Sequence, residues 1–137
     1  MNDRGHYFSG STYWQVGGDN GLFYFHSDFT IVTWIRVPNF LTTRQTIVSK
    51  NRSGQTSAPA DNLLDFYVVD KSGIPTIGID IEDGGDLIAE ETALVASDTW
   101  YQIGVVIDHG NNQVDFYIQM QDAYSFSIST SSFLHEW

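Results

Sequence analysis

From Phe29 to Val37 every second residue belongs to one set. Phe29, Ile31, Thr33, Ile35 and Val37 fall on one side of an extended chain, and Thr30, Val32, Trp34 and Arg36 on the other. A period of two is the repeat of a pleated strand and does not fit a helix. Pro38 ends the run, because proline cannot donate to a strand ladder. The pattern returns at Trp100–Asp108, where Tyr101, Ile103, Val105 and Ile107 share a side, and at Gln113–Gln121. There Val114, Phe116, Ile118 and Met120 point one way and Gln113, Asp115, Tyr117 and Gln119 the other. His109-Gly110-Asn111-Asn112 separates these two runs with residues that tolerate left-handed backbone, so they are expected to form a hairpin.

The rest of the chain reads the same way. Arg44–Lys50 carries Ile47 and Val48, Asn62–Asp70 sets Leu64, Phe66 and Val68 on one face, and Ile74–Ile81 alternates Ile77, Ile79 and Ile81 with Thr76, Gly78 and Asp80. Lys71-Ser72-Gly73 and Asp83-Gly84-Gly85-Asp86 are turns between these runs. His6–Ser9, Thr12–Val16, Gly21–His26, Leu87–Ala96 and Tyr124–Thr130 are weaker strands. In the last, Ser125, Ser127 and Ser129 are expected to face outward. About nine to eleven short strands separated by Gly, Asn and Asp turns predict an all-β antiparallel sandwich or barrel. The polar segment Ser53–Asp61 is a loop excursion. At 137 residues the whole chain, 1–137, is expected to be one domain, with a short apolar tail at 131–137.

Composition narrows the partners. Seventeen Asp and Glu oppose six Lys and Arg, a net charge of −11. That balance opposes nucleic acid, whose affinity rests on basic groups that neutralise phosphates. It also opposes an anionic membrane surface. No apolar run is long enough to insert into a bilayer, and residues 1–8 do not read as a secretory signal. With no cysteine, disulfides and thiolate metal sites are excluded. A soluble protein is expected, and the sequence does not name its compartment.

Phe29–Pro38 (FTIVTWIRVP) followed by Gln45–Lys50 (QTIVSK) resembles the laminin G-like family of concanavalin A-like lectin/glucanase jelly rolls. Tyr7–Val16 (YFSGSTYWQV) is similar to the opening strand of that family. Asp98–Asp108 (DTWYQIGVVID) resembles its turn-Asp, Trp and alternating strand, and Val114–Ile118 (VDFYI) resembles the strand that follows. The matches run in family order over roughly residues 7 to 120. They imply a two-sheet antiparallel jelly roll, with Trp34 and Trp100 in packing or interface positions. Two departures stand out. Met120-Gln121-Asp122-Ala123 replaces the usual Asp-Gly turn, and no strand comparable to the family's closing one follows Tyr124–Thr130. An open sheet edge would invite another chain.

Catalysis finds little support in the residues. Glycosidases need two carboxylates about the scissile bond, and the four glutamates, Glu82, Glu90, Glu91 and Glu136, form no Glu-x-Asp-x-x-Glu run. The four histidines are scattered, and Ser125, Ser127 and Ser129 have no nucleophile-elbow glycines around them. The chain is expected not to be an enzyme. The acidic turns suit calcium, which takes carboxylate and carbonyl oxygens from flexible loops. Asp80, Glu82, Asp83 and Asp86 are the candidate ligands; Asp61, Asn62 and Asp65 form a second acidic group. The resemblance also implies calcium at one rim of such a sandwich. Trp14, Tyr24, Asp61, Phe133 and Trp137 are candidates for ligand or interface contact, because exposed aromatics stack on sugars or anchor protein interfaces. The leading expectation is a structural module docking on a larger particle such as a viral capsid or phage tail, or assembling as a homo-oligomer. The alternative is a lectin-like carbohydrate-binding module, with or without calcium. A glycoside hydrolase-like enzyme is the third and weakest. Location on a virion surface or outside the cell follows from the first two readings.

Overall fold

The structure is a computed structural model, and it describes residues 8, 28–50, 63–82, 86–92, 94, 96–111, 113–120 and 127–132. Eight strands lie within them: β1 (Phe29–Arg36), β2 (Gln45–Lys50), β3 (Leu63–Asp70), β4 (Pro75–Glu82), β5 (Asp86–Thr92), β6 (Trp100–Asp108), β7 (Gln113–Met120) and β8 (Ser127–Ser132). They form two four-stranded antiparallel sheets. Sheet A has the order β1-β6-β7-β8 and sheet B the order β2-β3-β4-β5.

The alternation read from the sequence decides which side of each sheet is buried. Tyr101, Ile103, Val105 and Ile107 of β6 and Val114, Phe116 and Ile118 of β7 meet Leu64, Phe66 and Val68 of β3 and Ile77, Ile79 and Ile81 of β4 in one core cluster, joined by Leu94. Phe29, Ile31 and Ile35 of β1, Ile47 and Met120 pack against its margin. The fold is therefore an antiparallel β-sandwich whose core comes from the inward faces of both sheets. The phenol of Tyr101 lies in this core and is satisfied there: its hydroxyl donates to the Ala96 carbonyl at 3.2 Å and accepts from the Ala96 N–H at 2.9 Å.

Local chemistry fixes the joints. The β3–β4 turn places Ser72 and Gly73 in the left-handed region, and the Asp70 carboxylate accepts from the Gly73 N–H. Asp98, also left-handed, donates its N–H to the Val37 carbonyl and receives Arg36 Nε on its carboxylate at 2.9 Å. That is the turn Asp of the sequence pattern. Asp108 accepts from both the backbone and side chain of Asn111 in the β6–β7 turn, and Asp28 accepts from the His109 N–H at 2.8 Å. A bulge in β2 leaves Ile47 without a register partner between Thr46 and Val48. Ile47 packs on the core, while Val48, opposite Phe66, stays exposed.

Three expectations need correction. Ser127, Ser129 and Ser131 pair with Ile118, Phe116 and Val114, so they occupy core-face positions, and Ile128 and Thr130 take the outer face opposite Tyr117 and Asp115. The pairing with β7, and not the local alternation, sets which residues of β8 stand opposite the core positions. Ser131 and Ser132 belong to β8, so the tail does not begin at 131. β5 stops at Thr92, short of Ala96. The strands expected at Thr12–Val16 and Gly21–His26, and all but Phe8 of the one at His6–Ser9, lie outside the described residues.

Candidate functional site

The two sheets have very different outer faces. On sheet A the outward positions form cross-strand rows: Thr30, Val106 and Asp115; then Val32, Gly104 and Tyr117; then Trp34, Gln102 and Gln119; then Arg36 and Trp100. Val32 and Trp34 are 59% and 50% exposed, which is unusual for large apolar side chains in mid-strand. Tyr117 and Gln102 are partly exposed. Among the described residues, the centre of this face carries no charge. Arg36 at one end is held by Asp98, and Asp115 at the other accepts from the Gln113 amide at 2.8 Å. Gly104, between Val32 and Tyr117 on this face, is buried. A Cβ there would lie 3.3 Å from both the Ile31 carbonyl oxygen and Val32 Cγ2, and 3.7 Å from Tyr117 Cβ.

Sheet B is closed and charged. Tyr67 stands opposite Gly78, and its ring covers that glycine so closely that a Cβ would meet ring atoms at 2.6 to 2.9 Å. Tyr67 is 0% exposed although its strand position faces outward, and its outward neighbours Val69 and Thr76 are buried too. Arg44, just before β2, lays its guanidinium 4.2 Å from the Tyr67 ring centroid. The same guanidinium bonds Asp80 at 2.5 Å and approaches Asp65 at 3.8 Å. Asp65 and Asp80 are direct cross-strand partners, a like-charge pair that is unfavourable without a cation. Burial pushes the Asp65 carboxyl up, and Asp80 adds to this, against the opposing pull of the Thr46 hydroxyl and Arg44. One Asp65 oxygen, Oδ1, is buried without a hydrogen-bond partner. Burial works against the Arg44 charge, but the bond to Asp80 and the surrounding negative field outweigh it and hold the group above its ordinary value.

A family model described as the concanavalin A-like lectin/glucanases superfamily, of laminin G type, matches residues 8–136. The chain belongs to that superfamily. No curated protein and no solved structure matches it. The match confirms the resemblance carried by the strand sequences, and the two-sheet sandwich agrees with it.

The residues singled out from the sequence fall unevenly over the structure. Trp14, Tyr24, Asp61, Phe133, Trp137 and Asp83 lie outside the described residues. Asp80 is on the outer face of sheet B, bound to Arg44. Glu82 shares its strand parity, and Asp86 is paired with Glu82, so the register brings three of the four calcium candidates to one face. Asp65, from the second acidic group, joins them there. Among the described residues no group of three His, Cys, Asp or Glu is arranged to hold a metal. No helix among them is long and apolar enough to cross a membrane, which leaves strands unaddressed. Trp34 is not a core residue: it stands half exposed on the outer face. Its parity opposite Ile31, Thr33 and Ile35 was the available signal. Arg44 was also missed, and its signal was rarity, one of six basic residues in an acidic chain.

Proposed function

We propose that this domain is a non-catalytic, lectin-like module that binds carbohydrate on the outer face of sheet A, with Trp34 as its stacking platform. The half-exposed Trp34 carries the reading. An aromatic face receives the apolar C–H side of a sugar ring, and a neighbouring amide such as Gln102 serves the ring hydroxyls. The superfamily match supports a carbohydrate ligand. The described carboxylate pair supports the non-catalytic part. Asp65 and Asp80 are bridged by one guanidinium, which opposes the separate acid and base roles that glycoside hydrolysis requires.

A second reading is docking on a larger protein particle, such as a capsid or phage tail. The adjacent exposed Val32 and Trp34 favour it, since aromatic anchors also serve protein interfaces. A glycan array probed with the full chain and with Trp34→Ala separates the two, each run with calcium and with chelator. Binding to defined sugars that disappears in Trp34→Ala supports the lectin reading. Retention in chelator would remove calcium from it. Absence of glycan binding, with concentration-dependent self-association or capture by purified particles, would replace it with assembly.

A further inference from the structure

Resting on the carbohydrate reading, we infer that the ligand is an uncharged, linear glycan of at least three sugars, held by Trp34 and Tyr117 with Gln102 between them. The first support is spacing. Trp34 and Tyr117 lie two strands and one outward position apart, because Trp34 pairs with Gln102 whereas Tyr117 pairs with Gly104. With strands about 4.8 Å apart and a rise near 3.4 Å per residue, the two positions are separated by roughly 12 Å. One ring cannot cover both, whereas an extended chain places its first ring on one aromatic and a later ring on the other. The line between them crosses β6 between Gln102 and Gly104. Gln102, partly exposed on that line, supplies donor and acceptor to the intervening sugar.

The second support is charge. The positions along this line, Trp34, Gln102, Gly104 and Tyr117, carry none. Arg36, at the end of this face, is engaged by Asp98 at 2.9 Å, and Asp115 lies at the opposite margin. A whole-chain charge of −11 repels sulfated or carboxylated polymers. A neutral chain meets neither obstacle.

Titration of the full chain with linear neutral oligosaccharides of glucose, xylose, mannose and galactose, from one to six units, tests the inference, with heparin as the anionic comparison. Intrinsic tryptophan fluorescence and calorimetry are the readouts. Affinity is expected to rise about tenfold or more between disaccharide and tetrasaccharide, as the second aromatic is reached, and then to level off. Tyr117→Ala should remove that gain, while Tyr117→Phe should keep it. Trp34→Ala should remove binding at every length. Thermal melts of each variant exclude misfolding as the cause. Equal affinity for monosaccharide and tetrasaccharide, or preference for heparin, overturns the extended neutral ligand and leaves carbohydrate binding standing. Failure of every sugar, here and on the array, overturns the carbohydrate reading itself.

Discussion

Each sheet carries a glycine opposite a tyrosine on its outer face, and the two pairs behave differently. On sheet B the Tyr67 ring lies on Gly78 and is fully buried. On sheet A the nearest Tyr117 atom to a Cβ at Gly104 is its own Cβ, at 3.7 Å, and the residue remains partly exposed. The surroundings account for the difference. Tyr67 has Arg44 over its ring and the buried Val69 and Thr76 beside it. Tyr117 has Val32 and Gln119 nearby, on a face where the terminal strand leaves its large side chains in solvent. The same cross-strand pair thus closes a surface in one sheet and leaves it open in the other. The open one is where a ligand can be received.

The strongest way to break this comparison is to remove each ring. Tyr67→Ala should destabilise the domain by about 3–5 kcal/mol, the range for deleting a buried aromatic. Tyr117→Ala should change stability by less than ~1.5 kcal/mol, because much of its ring already meets water. The glycines follow the same order. Gly78→Ala drives a methyl into the Tyr67 ring and should cost about 1–3 kcal/mol. Gly104→Ala meets a carbonyl oxygen and a half-exposed Val32 methyl at 3.3 Å, and should change stability by less than ~1 kcal/mol. Denaturant melts give all four values. Equal losses at Tyr67 and Tyr117 would mean that both faces are structural.

A smaller effect sharpens the charged side of the comparison. Asp65 is a carboxylate whose folded-state pKa is raised, first by burial and then by Asp80. The folded protein therefore holds this proton more firmly than the unfolded chain does. Its favourable contribution is complete below the unfolded value, 3.8, and is lost as pH rises through the raised folded value. Asp65→Asn, which imitates the protonated form, should melt at or above the wild-type temperature at pH 7. That advantage should close as pH falls toward 3.8 and below. A variant that melts well below wild type at pH 7 would instead make the 3.8 Å approach to Arg44 a stabilising ion pair.

Much of this arrangement was legible in the strand alternation, and the parts that were not share a physical cause. Ile103, Val105, Phe116 and Ile118 declare the core because apolar residues recur at every second place, and a one-residue slip would expose all of them. β8 gave a false sense because its register is set by pairing with β7, which puts Ile128 opposite Tyr117 and Ser129 opposite Phe116, against its local alternation. The inner faces of both sheets were readable, but the outer faces were not, since outward position says nothing about what covers it. Tyr67 and Tyr117 have the same parity relative to their cores, and the tertiary placement of Arg44 over Tyr67, with Val69 and Thr76 buried beside it, separates them among the described residues. The Asp65–Asp80 pair arises from register between strands and has no signature in either strand alone.

The smallest expected effect on stability belongs to Trp34, and it is the most informative about the open face. Its outward position on β1, the terminal strand of sheet A among the described residues, leaves it half exposed, with Gln102 as its register partner. Trp34→Ala removes a large apolar surface that is only half withdrawn from water and leaves no enclosed cavity. The loss should stay within about 1 kcal/mol, near the range for surface substitutions. Ile35, the next residue, packs against the core margin, and Ile35→Ala should cost more, about 2 kcal/mol or above. The two variants differ by one residue along the strand and by the side of the sheet they face. If Trp34→Ala proves the more destabilising, the tryptophan is held by the fold and its exposure does not mark a ligand platform. If it melts close to wild type, the chain carries a tryptophan on an open face with little benefit to stability, as expected where that side chain serves recognition.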